Sequence, residues 1–198
     1  MAELPTLERH FAALRDLVAW LDHEQIPYCV IGGVAASVVG RARATRDVDA
    51  LVFLEADDWE GRLRSISNFG LKLRRPDAVE FAKRARVLLL HHPSTQMDID
   101  VSLGALPFEL EAVRRASSVT VHQVGIKMAA PEDLVVMKAL PGRDRDWRDI
   151  EGILDANPGL DLRRARRHLR GLAEAIDSPD VAEQFEVFMA RRRKRRKG

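Results

Sequence analysis

Apolar positions recur along the chain with two different spacings, and the change between them separates predicted helices from predicted strands. In residues 6–24 they recur every three or four positions, which predicts an amphipathic helix. The apolar run Tyr28–Ile31 predicts a short strand. Gly32 and Gly33 interrupt that strand, and a short helix is predicted directly after them, at 34–39.

Short apolar runs, and segments in which apolar and polar residues alternate, predict further strands between residues 40 and 124. These strands are expected at 48–54, 87–91, 97–103 and 119–124. Helices are predicted between them at 57–68, capped by Asp57, and at 108–116. Residues 71–85 fit a short strand followed by a helical turn. His91 and His92 fall at a turn, where a solvated loop is favoured over a metal site because no cysteine lies near them.

After Pro131 the pattern is helical to the end of the chain. Four helices are predicted, at 132–140, 146–156, 162–176 and 179–190, with breaks at proline- and glycine-containing segments. The sequence thus predicts an α+β fold with a mixed β-sheet and a helical C-terminal portion. The expected domains are a core at 1–128, a helical portion at 129–190 and a basic tail at 191–198.

Composition limits the class of protein. The chain has 198 residues, of which 46% are hydrophobic and 31% charged, as in a globular protein. A single cysteine, Cys29, excludes an intramolecular disulfide framework and a multi-cysteine metal site. No apolar run reaches the roughly 18 residues of a membrane span. The N-terminus also lacks the pattern of a signal peptide, so we expect a cytoplasmic protein with no membrane partner.

The net charge of +2 conceals a strongly basic C-terminus. Residues 161–198 contain 12 Lys and Arg against 6 Asp and Glu. The basic tail consists of Arg191, Arg192, Arg193, Lys194, Arg195, Arg196 and Lys197. Such a cluster suits contact with RNA phosphates, although it also fits a solvated chain end. Because like charges repel, we expect the tail to be disordered or only partly helical, and its removal to leave the melting temperature nearly unchanged.

Candidate chemistry is concentrated where acidic residues interrupt apolar strands. Asp47 and Asp49 alternate with apolar residues, so both carboxylates face one side of their strand, and Asp98 and Asp100 repeat this pattern. Carboxylates that close together repel unless a cation lies between them, and Mg²⁺ prefers such oxygen ligands. If the two strands are neighbours, a third carboxylate joins the first pair beside the glycine turn, which is the arrangement needed to bind divalent ions and nucleotide phosphates.

The glycine turn, Asp47-Val48-Asp49 and the later Ile99-Asp100-Val101 resemble the nucleotidyltransferase superfamily with the DNA polymerase β-like fold. Over about residues 25–156 the chain looks most like a bacterial subgroup close to the AbiEii-type toxin nucleotidyltransferases. The resemblance implies that Asp47, Asp49 and Asp100 are catalytic and bind two Mg²⁺ or Mn²⁺ ions. Asp100 is preferred to Asp98, which remains the alternative, because an apolar strand ending in glycine follows it.

The same resemblance implies which residues bind the nucleotide. Gly32 and Gly33 would hold the phosphates through backbone N–H groups, although many members have a serine where this chain has Gly33. A basic side chain would then bind the phosphates in place of the serine hydroxyl. The candidates in the loop before the Asp pair are Arg41, Arg43 and Arg46. Lys138 would be a further phosphate contact, in a region oriented by Arg143, Arg145, Asp146 and Asp149.

The resemblance predicts an enzyme that moves a nucleoside monophosphate from an NTP, such as ATP, to an acceptor hydroxyl and releases pyrophosphate. An RNA end such as that of tRNA is the first expectation for the acceptor, because of the basic tail. A protein side chain, as in AMPylation, and a small hydroxyl compound are alternatives. A non-catalytic module that binds a toxin or antitoxin partner is a further alternative, although the three intact carboxylates argue against it.

Overall fold

The structure, a computed structural model, describes residues 6–54, 59–175, 177–178 and 180–195. It confirms the predicted α+β class. The chain forms two compact units: the first contains the residues up to Ala35 together with Arg43–Ala129, and the second contains Ala36–Ala42 and the residues from Ala130 onwards.

The first unit is built on a mixed sheet, which within the described residues has seven strands. The strands are β1 (Tyr28–Ile31), β2 (Asp47–Val52), β3 (Lys72–Leu73), β4 (Val87–His92), β5 (Met97–Leu103), β6 (Ser117–Val121) and β7 (Val124–Met128). Their order is β3-β4-β5-β2-β1-β7-β6. The pairs β2–β5 and β1–β7 are parallel and the other neighbours are antiparallel.

Helices α1 (Thr6–His23), α3 (Trp59–Leu63), α4 (Ala78–Ala85) and α5 (Pro107–Arg115) complete the first unit, with a 3₁₀ turn at Ile66–Phe69. Helix α2 (Gly32–Val39) begins in the first unit and ends in the second. The second unit also contains α6 (Pro131–Ala139), α7 (Asp144–Ala156), α8 (Leu162–Ala175) and α9 (Asp180–Arg195). No helix among the described residues is long and apolar enough to cross a bilayer.

The period of two along β4 and β5 gives the sheet one buried face and one partly open face. Leu88, Leu90, Ile99 and Val101 are buried in the core, whereas the residues between them are partly exposed. Helix α1 contacts the sheet and buries its apolar stripe, as its three-and-four spacing predicts. The partly open face carries the acidic residues of β2 and β5.

Two local predictions in the first unit are wrong. The segment 119–124 is not one strand, because His122 and Gln123 adopt φ of 46° and 66° and turn the chain between β6 and β7. Such a two-residue turn normally uses Asn-Gly or Asp-Gly, and this chain has neither there. His91 and His92 belong to β4 rather than to a solvated loop, and His92 is buried. Asp57, the predicted helix cap, lies outside the described residues.

The last helix of the second unit is longer than its apolar pattern predicts. The prediction ends it at 190, whereas α9 continues to Arg195. Arg192 lies on the buried face of α9, one turn after Met189, and its Nη2 is 2.6 Å from Asp155 Oδ1 on α7. Arg195 Nη2 is 2.7 Å from Glu151 Oε1, also on α7. These acidic partners offset the repulsion among the basic residues, so residues 191–195 are ordered helix rather than a disordered tail.

Candidate active site

Four carboxylates lie on one face of the sheet, in two rows across the parallel strands β2 and β5. Asp47 is in register with Asp98, and Asp49 is in register with Asp100. Residues directly opposite each other on neighbouring strands face the same side, as do residues two apart on one strand. The structure therefore brings Asp100 beside the Asp47–Asp49 pair, and it brings Asp98 to the same face.

The glycine turn lies directly against the second carboxylate of the pair. Ile31 is in register with Asp49, and the next residue, Gly32, has φ of +69° and starts α2. A Cβ atom at position 32 would lie 1.9 Å from Asp49 Oδ2. Glycine is thus required at position 32 both by its backbone conformation and by the space that the Asp49 carboxylate fills. The start of α2, with its positive dipole end, is held next to the acidic face.

The second glycine leaves room for a threonine hydroxyl. A Cβ atom at position 33 would lie 2.5 Å from Thr45 Oγ1 and 3.4 Å from Arg43 Nη2. The Thr45 hydroxyl donates a hydrogen bond to Asp47 Oδ1 at 3.0 Å. Thr45 and Arg43 therefore place a hydroxyl and a guanidinium at the glycine turn, whereas Arg46 lies exposed in the same loop.

A guanidinium bridges the two aspartates of β5. Arg74 Nη1 lies 2.8 Å from Asp98 Oδ2, and Arg74 Nη2 lies 3.0 Å from Asp100 Oδ1. The other oxygen of Asp98 is 2.8 Å from His91 Nδ1. Asp98 thus uses both carboxylate oxygens in contacts with neighbouring strands or loops.

The two aspartates of β5 consequently differ in pKa. Burial raises the pKa of Asp100 above its ordinary value, Arg74 opposes this rise, and the negative charges of Asp47 and Asp98 add to it. The hydrogen bond from His91 lowers the pKa of Asp98, burial opposes this, and Arg74 lowers it further. Asp98 is therefore the better-compensated anion, and Asp100 is the carboxylate that gains most from additional positive charge.

The donor set fits a hard divalent cation by its chemistry. All three predicted ligands are carboxylates, which Mg²⁺ prefers, and the glycine at position 32 leaves the space that the Asp49 carboxylate occupies. Across residues 6–54 and 59–195, apart from the undescribed positions 176 and 179, no three His, Cys, Asp or Glu side chains are already gathered around one point as metal ligands. Asp47 is hydrogen-bonded to Thr45 and Asp100 is paired with Arg74, so a cation would have to draw these side chains together.

Lys138 lies in the second unit and is buried between two aspartates. Its Nζ is 2.9 Å from Asp149 Oδ2 and 3.3 Å from Asp146 Oδ1 on α7. Asp146 also accepts hydrogen bonds from the backbone N–H and the Nε of Arg143, and so caps α7. Asp146 and Asp149 thus engage Lys138 and Arg143 contacts Asp146, whereas Arg145 is exposed.

Three residues that contact the carboxylates were not predicted from the sequence: Arg74, Thr45 and His91, which contacts Asp98. Arg74 is brought to Asp100 by the pairing of β3 with β4, which residue spacing does not reveal. His91 faces Asp98 because the two are in register across β4 and β5. Residues 87–90 are all apolar, so the sequence of β4 has no alternation that could have indicated this pair.

Solved structures of low sequence identity share the fold. An antigenic nucleotidyltransferase-like protein from Paracoccidioides brasiliensis is 16% identical with a TM-score of 0.52, over 88% of this chain and 93% of that chain. The antibiotic-resistance factor ANT(2'')-Ia in solution is 16% identical with a TM-score of 0.55, over 87% and 97% of the two chains. Its crystal structure in complex with adenylyl-2''-tobramycin is 17% identical with a TM-score of 0.50, over 85% and 98%.

The sequence itself matches one family over most of its length, while no curated protein matches it significantly. The matching profile describes a nucleotidyltransferase of unknown function (DUF6036) and covers residues 6–155. That range includes the glycine turn, the carboxylates of β2 and β5, and the Lys138 cluster. The chain therefore belongs to the DUF6036 family of nucleotidyltransferases.

Proposed function

We propose that the protein is a metal-dependent enzyme that transfers a nucleoside monophosphate from an NTP to an acceptor hydroxyl. The observation that carries this proposal is the register of β2 and β5, which aligns Asp49 with Asp100 beside the glycine turn. Family membership supports the general class of reaction. Because NTPs and RNA are both abundant in the cytoplasm, we place the protein there.

In this proposal Asp47, Asp49 and Asp100 hold two divalent ions, Mg²⁺ or Mn²⁺. Such ions, when bound, neutralise phosphate charge and lower the pKa of an attacking hydroxyl. The acceptor oxygen forms a bond to the α-phosphorus, the bond from that phosphorus to the bridging oxygen breaks, and pyrophosphate leaves. Asp100 takes up the proton of the acceptor hydroxyl. The side chains of the acidic face thus orient both reactants.

The nucleotide would be held by Gly32, Gly33, Arg46 and Lys138. The position of Arg43 and Thr45 at the glycine turn supports adding both to this set, with the Thr45 hydroxyl in the space left by the glycine at 33. For Lys138, a phosphate would have to compete with Asp146 and Asp149.

For the acceptor we propose RNA. Two sets of exposed basic side chains on the second unit support this choice. On α8, Arg163, Arg167 and Arg170 follow one another at helical spacing along one stripe. Arg163 also lies 3.4 Å from Asp161, but its side chain is 94% exposed. On α9, Arg191, Arg193 and Lys194 are exposed. Arg192 and Arg195 pair with acidic residues of α7, so the described part of the tail offers fewer phosphate contacts than its sequence indicates. Arg196 and Lys197 lie outside the described residues.

A small hydroxyl compound is the second candidate acceptor, because ANT(2'')-Ia, which shares the fold, has been seen with an adenylylated form of tobramycin. Protein AMPylation remains a further alternative. Kinship with the AbiEii-type toxins, and with it a toxin or antitoxin partner, rests on the sequence resemblance alone.

The test is transfer of label from each of the four α-³²P-labelled NTPs in the presence of Mg²⁺. Total RNA, total protein and a small-metabolite fraction serve as separate acceptors, and the variant Asp47→Asn/Asp49→Asn is the control. We expect label in RNA, together with release of unlabelled pyrophosphate in an amount equal to the label transferred, and both should be lost in the variant. Label in metabolites or protein instead would overturn the RNA assignment, and no transfer to any fraction would contradict the enzymatic proposal.

A further inference from the structure

We propose that Arg74 is a positioning residue that competes with the divalent cation for Asp100, and so makes cation binding depend on the nucleotide. This inference rests on the proposed function, because it takes Asp100 as a metal ligand. It concerns the protein before nucleotide binds, when the Arg74 guanidinium supplies the positive charge on β5.

The sheet holds Arg74 in place for this contact. Arg74 directly follows β3, and its backbone N–H donates to Leu89 O at 3.0 Å. Leu89 is in register with Asp100, so Arg74, Leu89 and Asp100 form one row across the sheet. The Arg74 side chain is 26% exposed, and it reaches over Leu89 along the partly open face. Backbone pairing thus aims the guanidinium at the carboxylates of β5.

The planar fork of arginine suits two carboxylates spaced two residues apart on a strand. Each terminal nitrogen of Arg74 contacts a different aspartate, at 2.8 Å for Asp98 and 3.0 Å for Asp100. Asp98 is also fixed by His91 and therefore serves as the anchor of the guanidinium. When Asp100 turns to a cation, Arg74 can keep its contact with Asp98. This explains why β5 carries two aspartates on one face.

A guanidinium at Asp100 opposes a dication in two ways. It occupies one carboxylate oxygen, and its charge repels the incoming ion at short range. An NTP adds phosphate oxygens as ligands and negative charge, both of which favour the ion over Arg74.

The test is Mn²⁺ binding to the full-length protein, measured by electron paramagnetic resonance with and without a non-hydrolysable ATP analogue. Without nucleotide, Arg74→Gln should bind Mn²⁺ at least about tenfold more tightly than the wild type, since it removes a unit charge next to the ion. The increase in Mn²⁺ affinity caused by the ATP analogue should be correspondingly smaller in Arg74→Gln than in the wild type. Arg74→Lys, which keeps the charge, should resemble the wild type.

Arg75→Gln is the matched control. It removes the same charge one residue away, where Arg75 pairs with Asp77 at 2.8 Å and stacks on Phe81 rather than facing β5. We expect its Mn²⁺ affinity to be unchanged. A misfolded variant would lose affinity, so damage to the fold cannot imitate the expected gain.

Other outcomes separate this inference from the proposed function. Equal or weaker Mn²⁺ binding by Arg74→Gln, with normal binding by the wild type, would overturn the role of Arg74 and leave the metal assignment intact. If Arg75→Gln tightened binding as much as Arg74→Gln, the effect would be general electrostatics, and the inference would be wrong. No Mn²⁺ binding by any form, even with nucleotide, would contradict both proposals.

Discussion

Asp98 and Asp100 lie two residues apart on β5 and face the same side of the sheet, but their contacts give them different roles. Both oxygens of Asp98 have close partners, in His91 and Arg74. Asp100 is in register with Asp49 and shares Arg74 with Asp98. Asp100 is therefore the carboxylate placed to join the Asp47–Asp49 pair, and Asp98 is the one that holds the Arg74 guanidinium.

Asp100→Asn should abolish transfer while leaving nucleotide binding nearly intact. We expect kcat to fall at least about 100-fold, the scale of losing a group that accepts a proton in the reaction. Asp98→Asn should reduce kcat less, because it removes only the anchor of Arg74. Steady-state kinetics and nucleotide titration of both variants check this. An inactive Asp98→Asn together with an active Asp100→Asn would show that the two assignments must be exchanged.

Gly32→Ala should damage the site through both backbone and space. The residue has φ of +69°, and an added Cβ would lie 1.9 Å from Asp49 Oδ2. We expect a loss of stability of about 1 kcal/mol or more and a much weaker affinity for the metal–nucleotide complex. Gly125→Ala, on β7, is the control, because nothing lies within 4 Å of its added Cβ. Similar nucleotide affinities in the two variants would refute the role of Gly32.

At the scale of single residues, the sequence predicted the features that strand alternation determines and failed where distant strands meet. The period of two alone is enough to place Asp47 and Asp49 on a common face. Arg74 reaches Asp100 only because β3 pairs with β4 and β4 with β5, and no spacing in the sequence encodes that pairing.

At the scale of elements, periodic spacing predicted α1 and β5 closely, and apolar runs predicted β1 and β4. The turn between β6 and β7 and the charged last turn of α9 were not predicted. The hairpin of β6 and β7 turns at His122 and Gln123, whose positive φ is uncommon for residues other than glycine. The last described turn of α9 is held by its partners on α7, Asp155 and Glu151. Both errors arise where tertiary contacts, rather than local preference, decide the conformation.

A buried histidine fastens α1 to the turn between β4 and β5, and this contact should depend on pH. His92 Nε2 lies 2.9 Å from Asp16 Oδ2 on α1, and its Nδ1 lies 2.7 Å from Thr95 Oγ1. Burial raises the pKa of Asp16, but hydrogen bonds from Arg15 and His92 outweigh it and hold that pKa below its ordinary 3.8. Ionised Asp16 therefore stabilises the fold above that ordinary value, and this contribution is lost as pH falls through the lower folded pKa.

Asp16→Asn should accordingly lower the free energy of unfolding by about 1–3 kcal/mol at pH 7, and the difference from the wild type should vanish under strongly acidic conditions. Urea denaturation at pH 7, 5 and 3 measures it. Asp22→Asn, exposed on the same helix, should have little effect at any of these pH values. A difference that grows on acidification would contradict the assigned contact.

The end of α9 gives a second prediction about elements. Arg192 is buried and bound to Asp155, so Arg192→Ala should cost about 1–3 kcal/mol, whereas exposed Arg193→Ala should cost less than about 0.5 kcal/mol. Deleting 191–198 should also lower the melting temperature, contrary to the expectation from sequence. Thermal denaturation of the three variants decides this, and equal melting temperatures for all of them and the wild type would argue against the role of Arg192.

At the scale of the whole molecule, the first unit carries an acidic face on its sheet, and the second unit carries exposed basic side chains. The family match ends at residue 155, within α7, so α8 and α9 lie outside it. The carboxylates and the glycine turn are in the matched part, and the arginines that support an RNA acceptor are in the other part. The reaction class is thus tied to family features, and the choice of acceptor to features of this chain.

The most direct test of the central claim is calorimetric titration of Mg²⁺ and NTP, each with and without the other, into the wild type and Asp47→Asn/Asp49→Asn. Because Mg²⁺ sites on one or two carboxylates borrow phosphate ligands, each partner should bind the wild type far more tightly when the other is present. The double variant should lose this mutual enhancement. If its nucleotide affinity in Mg²⁺ equals that of the wild type, the acidic face does not bind the metal–nucleotide complex.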